Sequence, residues 1–409
     1  MKAKFFLIVT MLWFGLSCKS QMEQYNFKRE LIGSENQWQK LIISNEVFQH
    51  LTPDFSDLRI FGILPNGDTL EVPYILNIAT EKTVEKATDF EILNESKSKI
   101  GTYFTFKIPS SHSINQIDLD FAQQNYDWKI MLEGSQNQIE WFNIADDYRI
   151  VSIKNQLTTY QFTNLVFPVS QYAFYRILVK SIDKVELKTA KVFLKVTEVG
   201  TERKFEIKSF RTENIKESKQ TILYADLNSK LPVDKIKLHV NKKFDFYRPL
   251  SIETVSDSVQ TEKGWVLNYE SLASGLLNSI EKNEFQFKST LLSKTKITIN
   301  NDDNNPLEID SISMYGSDFT MIFRITEEGK YYLTYGNSFA SKPIYDLQLF
   351  TAKIPKELKI PTLGKEEIIE KKAVEKVTPL FENKIILWTV MGVIIMLLGW
   401  FSLAMIKKK

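Results

Sequence analysis

Runs in which every second residue is apolar recur along the chain. Phe104, Phe106 and Ile108 alternate with Thr105 and Lys107; Ile117, Leu119 and Phe121 alternate with Asp118 and Asp120; Ile236, Leu238 and Val240 alternate with Lys237 and His239. A period of two sets one face of a strand in a core and the other in water. Turn-forming residues punctuate the runs: Pro65-Asn66-Gly67-Asp68, Pro109-Ser110-Ser111, Asn228-Ser229-Lys230, and Asn300 to Pro306. Short strands with frequent turns predict an all-β protein built of antiparallel sandwiches.

An internal repeat of roughly 120 residues divides the pattern. Phe104-x-Phe106-x-Ile108 matches Leu223-x-Ala225-x-Leu227, and Ile114 to Leu119 matches Val233 to Leu238. With a one-residue slip Tyr126-Asp127-Trp128 matches Phe244-Asp245-Phe246; Arg176-Ile177-x-Val179 matches Lys296-Ile297-x-Ile299, and Leu187 matches Leu307. The expected division is a small β unit over 21–85, a first sandwich over 86–200 and a second, diverged copy over 201–353. The leading unit offers strands at Trp38 to Ile43, Asp57 to Gly62 and Asp68 to Tyr74. Three such strands are marginal alone, so they are expected to dock on the first sandwich.

The pattern changes at both ends. Ile385 to Ile406 is an uncharged apolar run followed by Lys407-Lys408-Lys409. As a helix of roughly 22 residues it reaches about 33 Å, enough for a hydrocarbon core of about 30 Å. The lysines belong on the cytoplasmic side. The expectation is one pass through the bacterial cytoplasmic (inner) membrane, with the ectodomain in the periplasm or outside. Residues 354–384 read as a charged, partly helical stalk, with Glu367 and Lys371 as an i,i+4 pair and Ile369, Ala373 and Val377 as a thin apolar stripe. Residues 1–20 have the outline of a secretory signal, with Lys2 and Lys4 before the apolar stretch Phe5 to Leu16. The only cysteine, Cys18, sits in Gly15-Leu16-Ser17-Cys18-Lys19. That stretch resembles a bacterial lipoprotein cleavage site, which would make Cys18 an acylated first residue. An ordinary signal peptide cut near Ser20 is the other reading.

One cysteine excludes an internal disulfide, so stability must come from packing, and 43% hydrophobic and 12% aromatic residues supply the material. A net charge of +2, from 52 basic and 50 acidic residues, gives no global field for nucleic acid. Lys235, Lys237, Lys242 and Lys243 read as a solvated edge or turn rather than a polyanion site. His50, His112 and His239 are scattered, without the clustering a zinc site needs. Ser110-Ser111-His112-Ser113 reads as a turn. The loop Asn301 to Asn305 offers hard oxygen ligands, and Asp302 and Asp303 make it the candidate for calcium. Asp146-Asp147 and Asp118 with Asp120 are carboxylate pairs, of which the second lies on the solvated face of a strand. Trp128, Trp141, Tyr126 and Phe246 could stack on a sugar, or, as the matching repeat positions of Trp128 and Phe246 favour, fill a core. No cofactor is expected.

Asp127-Trp128-Lys129-Ile130-Met131-Leu132-Glu133-Gly134-Ser135, then Ile139-Glu140-Trp141, then Tyr172 to Ile177, resemble discoidin-type, galactose-binding-like domains. The resemblance implies a sandwich that binds sugars, lipid headgroups or proteins through tip loops. Ser56 to Phe61, Val72-Pro73-Tyr74, Asn305-Pro306-Leu307, Tyr332 to Asn337 and Pro343 to Leu347 resemble an uncharacterised bacterial envelope family. That second resemblance implies a signal peptide, a β-rich exported region, one C-terminal transmembrane helix and a multi-spanning membrane protein as partner. Together these readings favour a non-enzymatic, membrane-anchored exported module that scaffolds or binds a protein partner. A carbohydrate-binding ectodomain, with an envelope glycan as ligand, is the alternative, and an envelope hydrolase comes third.

Overall fold

The alternating runs fold as strands buried on one face, as in Ile114–Phe121, where Ile114, Ile117, Leu119 and Phe121 point inward while Asp120 is exposed. The computed structural model describes residues 21–371 and 384–406, apart from 36, 110, 156–158, 199, 242–243 and 263. The signal segment with Cys18, Ser110, Lys242, Lys243, stalk residues 372–383 and the terminal lysines lie outside the described residues.

In chain order the strands are β1 (Phe27–Ile32), β2 (Trp38–Ile42), β3 (Arg59–Ile63), β4 (Thr69–Glu71) and β5 (Tyr74–Ile78). Then come β6 (Lys82–Thr88), β7 (Glu91–Lys97), β8 (Thr102–Lys107), β9 (Ile114–Phe121), β10 (Tyr126–Ser135), β11 (Phe142–Lys154), β12 (Thr159–Phe162), β13 (Asn164–Ser170), β14 (Phe174–Lys180) and β15 (Leu187–Glu198). The remainder are β16 (Glu202–Phe205), β17 (Ile207–Ile215), β18 (Gln220–Val240), β19 (Tyr247–Thr261), β20 (Gly264–Asn278), β21 (Glu284–Asn300), β22 (Ile309–Ser317), β23 (Phe319–Arg324), β24 (Lys330–Tyr335) and β25 (Thr362–Ile368). Helix α1 (Lys384–Ile406) closes the described chain.

The chain forms two units, one from Ala79 to Arg203 and one from the segments on either side of it. The first is a two-sheet sandwich, β12-β11-β10-β14-β8-β7 against β13-β9-β15-β6, and its core holds Phe104, Ile117, Trp128, Leu132, Tyr175 and Ile177. The second contains the sheet β16-β22-β18-β21-β19-β20, with β17 also paired to β18.

Pair registers show that the second sandwich repeats the strand order of the first. Phe104 lies opposite Ile177 across β8 and β14, as Leu223 lies opposite Ile297 across β18 and β21. Ile117 faces Val192 as Ile236 faces Met314. Ile130 faces Val179 as Leu250 faces Ile299, so counting back from these pairs sets Tyr126 against Phe246 and Trp128 against Arg248. The expected match of Trp128 to Phe246 is therefore two residues out. Where β8 and β9 are separate strands, β18 runs on as one strand with a register shift between Asp226 and Leu231, so Asn228-Ser229-Lys230 bends a strand rather than ending it.

The leading strands do not form a three-strand unit of their own. They interleave with the end of the chain in the sheets β25-β1-β24-β3-β4 and β2-β23-β5. Phe27 lies opposite both Tyr335 and Ile368. The apolar faces of these two sheets merge with those of the second sandwich into one buried cluster, containing Leu41, Ile60, Phe323 and Leu333 together with Leu223, Val233 and Ile297. Part of the expected stalk is thus strand β25. Its backbone bonds to the β1 edge, and Glu367 pairs with Lys28 across the sheet at 3.2 Å rather than along a helix with Lys371.

The terminal apolar run is helical over Lys384–Ile406. Among the described residues no helix is long and apolar enough to cross a membrane; α1 is described at side-chain level from Leu387 to Leu403. Those side chains are exposed on every side of the helix, with Met391 through Leu403 largely open.

Candidate functional site

One end of the first sandwich gathers aromatic and charged groups into an open surface. Glu91, Lys107, Phe174 and Ser135 are successive cross-strand partners, so the ends of β7, β8, β14 and β10 form a row there. The turn after β10 is tightly specified. Ser135 Oγ accepts from the Gln138 N–H at 2.9 Å, and Asn137 Oδ1 accepts from the N–H groups of Ile139 and Glu140 at 2.9 and 3.0 Å. Gln138 takes a left-handed φ of 63°, and its carbonyl accepts from Trp141 Nε1 at 3.1 Å. These bonds aim Trp141 and Phe142.

Phe142 is 53% exposed, and its ring stacks on Tyr172 at 6.1 Å and 20°. Tyr172 can lie there because position 134 is glycine: a Cβ on Gly134 would come within 2.3 Å of the Tyr172 ring. Gln136 ties the two loops, donating to the Gln171 carbonyl at 2.8 Å and accepting from the Ala173 N–H at 3.2 Å. Arg176 donates from Nε and Nη2 to Glu133 Oε2 at 2.8 and 2.7 Å. Its guanidinium carbon lies 4.1 Å from the Trp141 ring centre and 5.1 Å from that of Tyr103. The arrangement holds the Trp141 plane by cation–π attraction and leaves Arg176 donors to spare, because a guanidinium has five. Beside it an open depression of about 230 Å³ is lined by Asp89, Phe90, Glu91, Lys107 and Pro109. That is below the roughly 300–1,000 Å³ of enclosed small-molecule sites and suits a ligand held at the surface.

Of the four aromatics weighed for stacking, only Trp141 belongs to this surface. Tyr126 and Trp128 are buried and stacked on each other at 3.9 Å and 9°, with Phe121 edge-on to both, and Phe246 is buried as well. Phe142 and Tyr172 were missed as site residues. The glycine preceding Ser135 was the signal that a ring packs over the strand end.

The other candidates are dispersed. Ser111 Oγ and His112 Nδ1 are 3.1 Å apart in an exposed turn, His50 stacks on Phe27 at 4.0 Å, and His239 Nε2 is 3.3 Å from Ser313 Oγ. Asp146 and Asp147 both accept from Lys180 Nζ, at 2.7 and 2.8 Å, and those bonds hold both carboxyls below their ordinary range. In the calcium candidate loop, Asp303 is paired with Lys219, which lowers its carboxyl and raises the lysine. Asp302 Oδ1 accepts from Asn300 Nδ2 at 2.9 Å, and Asn301 is buried with Nδ2 donating to Thr221 Oγ1. Asp302 and Asp303 thus serve the turn, with a lysine ammonium where a cation would compete. Among the described residues no group of three His, Cys, Asp or Glu is arranged to hold a metal ion.

A second cluster lies where β3, β4 and the segment after β24 meet. Asp57, fully buried, accepts from the Thr52 N–H and hydroxyl through Oδ1 and from the Gly336 N–H through Oδ2. Arg59 is 7% exposed. It donates to the carbonyls of Ser56, Leu58 and Ser341 and sits 3.3 Å from Glu71, which accepts from the Tyr345 hydroxyl. Tyr74 donates to the Leu58 carbonyl at 2.8 Å. Four of the five segments that resemble the envelope family therefore converge on one network. Its members satisfy one another, which makes it a fastening rather than a reactive centre.

No family model matches the chain, and no curated protein matches it. Among solved structures it is similar to a glycoside hydrolase 29 family member from an unknown rumen bacterium, at 13% identity and a TM-score of 0.19, covering 54% of this chain and 40% of that one. It is also similar to the CBM32-1 and CBM32-2 domains of Clostridium perfringens ZmpB (8% identity, 59% and 92% covered, TM-score 0.20). A fucolectin from striped bass (Morone saxatilis) serum gives 10% identity, 59% and 99% covered and a TM-score of 0.18. The chain spans less than half the length of the glycoside hydrolase. With TM-scores near 0.2 the functional reading rests on the chain's own geometry.

Proposed function

We propose that this chain is a membrane-tethered β-sandwich protein that binds carbohydrate at the tip of its first sandwich. The observation that carries the reading is the exposed Phe142 ring, backed by Tyr172, beside an Arg176–Glu133 pair set against Trp141. A sugar offers C–H faces to an aromatic ring and hydroxyls to charged donors and acceptors. This surface presents both, from the turn after β10 and the adjoining ends of β10, β11 and β14. Its openness favours binding over hydrolysis, since glycoside hydrolysis takes two carboxyls held across a cleft. The tether is α1, apolar on every described side, as a helix surrounded by lipid must be.

The test is a thermal-shift screen of the full chain in nanodiscs against envelope glycans at millimolar concentration, with Phe142→Ala alongside. Stabilisation by a glycan that the variant loses supports the reading. Stabilisation retained in Phe142→Ala moves the site elsewhere, and none by any glycan removes the proposal.

A protein partner is the second reading, favoured by the β19–β20 hairpin. β21 flanks this hairpin over Leu250 to Thr254, but the two strands run on to Thr261 and Gly264, with Val259, Trp265 and Val266 exposed near the end. A two-stranded ribbon is marginal in water, so an apolar tip on one suits a protein surface that covers it. Purification from native membranes in mild detergent tests this: a stoichiometric companion lost on Trp265→Ser supports it, and a companion retained by that variant counts against it.

A further inference from the structure

We propose that Phe339 and Ile344 rest in the interfacial layer of the membrane that α1 enters, so that this end of the module lies on the lipid surface. The inference rests on the reading of α1 as a tether, and its own support is the direction of the strands. In the sheet β25-β1-β24-β3-β4 neighbours are antiparallel throughout, and Ile368, Phe27, Tyr335, Arg59 and Glu71 all fall at one end. The chain leaves toward α1 from that end, where the Ile369 N–H donates to the Asn26 carbonyl at 2.9 Å. The segment after β24 crosses the same end. Ala340 packs with Ile369 on the cluster of Met22, Tyr25 and Phe61, and Tyr345 bonds to Glu71.

Phe339 and Ile344 are each 96% exposed there, and Ile368 is 74% exposed. Large apolar side chains so open, gathered where an apolar helix is attached, present the greasy face of an interfacial segment. The occupant follows from the connection. The residues between Ile369 and Lys384 span at most about 54 Å fully extended, so this end of the module stays within that reach of the start of α1. Lys342 lies between the two apolar residues and is exposed, which suits an anionic lipid surface.

The test uses the full chain in vesicles of phosphatidylcholine with phosphatidylglycerol, with Cys18→Ser so that a single cysteine takes an environment-sensitive fluorophore. Labels are placed by Phe339→Cys, Ile344→Cys, Leu397→Cys within α1, and Asn66→Cys in the turn at the opposite end of the sheet. Lipids carrying a spin label should quench the positions 339, 344 and 397 and leave position 66 bright. Quenching at 397 with 339 and 344 as bright as 66 overturns the inference while sparing the tether. No quenching at 397 overturns the tether and the inference with it.

Discussion

At the scale of single residues, the strongest organisation lies around Arg59 and Arg29. Each arginine is nearly buried and each meets a carboxylate and a tyrosine: Arg59 with Glu71, which takes the Tyr345 proton donor, and Arg29 with Glu366, both of which bond Tyr335. Burial first, and then the adjoining carboxylate, push the Tyr345 and Tyr335 phenols far above the ordinary range; burial pushes Tyr74 up to about 12. A phenol whose folded pKa is raised keeps its proton where the unfolded chain gives it up. The stabilisation is therefore complete below the unfolded value of about 10 and is lost as pH climbs toward the folded value. Tyr74, Tyr335 and Tyr345 all serve the strands at the two ends of the chain, and burial likewise raises Tyr126 and Tyr175 in the first sandwich, so alkali should loosen both regions. Ultraviolet titration of the tyrosines alongside tryptophan emission should show a late, cooperative ionisation step above pH ~10. Smooth ionisation of all tyrosines at their ordinary pKa would contradict the buried placement.

At the scale of elements, period-two alternation was readable wherever one face of a strand meets a core. It identified β8, β9 and the second half of β18 directly. The same period explains the misreading of the repeat: a two-residue slip leaves every side chain on its proper face, so Trp128 matched to Phe246 looks as sound as the true partner, Arg248. Strand β25 was invisible for a different reason. Its charged sequence Gly364-Lys365-Glu366-Glu367 has no apolar alternation, and its stability comes from backbone bonds and cross-strand charges at the β1 edge. The tip was half legible, because the Ser-containing turn and Trp141 stand in the sequence, whereas the Phe142–Tyr172 stack needs two loops thirty residues apart to meet. The β25 placement has a direct consequence. Glu366 joins Tyr335 and Arg29, whose side chain is only 10% exposed, whereas Glu367 meets Lys28 in the open. Glu366→Gln should cost about 1–2 kcal/mol and Glu367→Gln less than about 0.5, read from denaturant midpoints. Equal, negligible losses would return the segment to a solvated stalk.

At the scale of the whole molecule, the pairing of β1 with β24 and β25 joins residues some three hundred positions apart, and no local pattern announces such a partnership. It means that the first sandwich is an insertion in a unit whose two ends close on each other. The buried cluster of that sandwich draws only on residues 104–192, and the larger cluster of the surrounding unit draws on none from 79 to 203. The junctions are suited to insertion as well: a Cβ on Gly200 would come within 2.1 Å of the Ala79 carbonyl oxygen, so the chain enters and leaves the sandwich side by side. A domain with its own core and adjacent termini should fold when cut out, and its host should tolerate the cut. Residues 79–203 expressed alone should therefore unfold cooperatively and keep the glycan response proposed for the tip. The remainder, with Ile78 joined to Lys204 by a short glycine linker, should keep the late tyrosine step above pH ~10 because Tyr74, Tyr335 and Tyr345 all remain in it. Calorimetry of the full chain should then resolve into the transitions of the two parts. An excised sandwich that stays unfolded while the full chain melts in a single step would show that the two cores hold each other up, and that the insertion has become a structural member of its host.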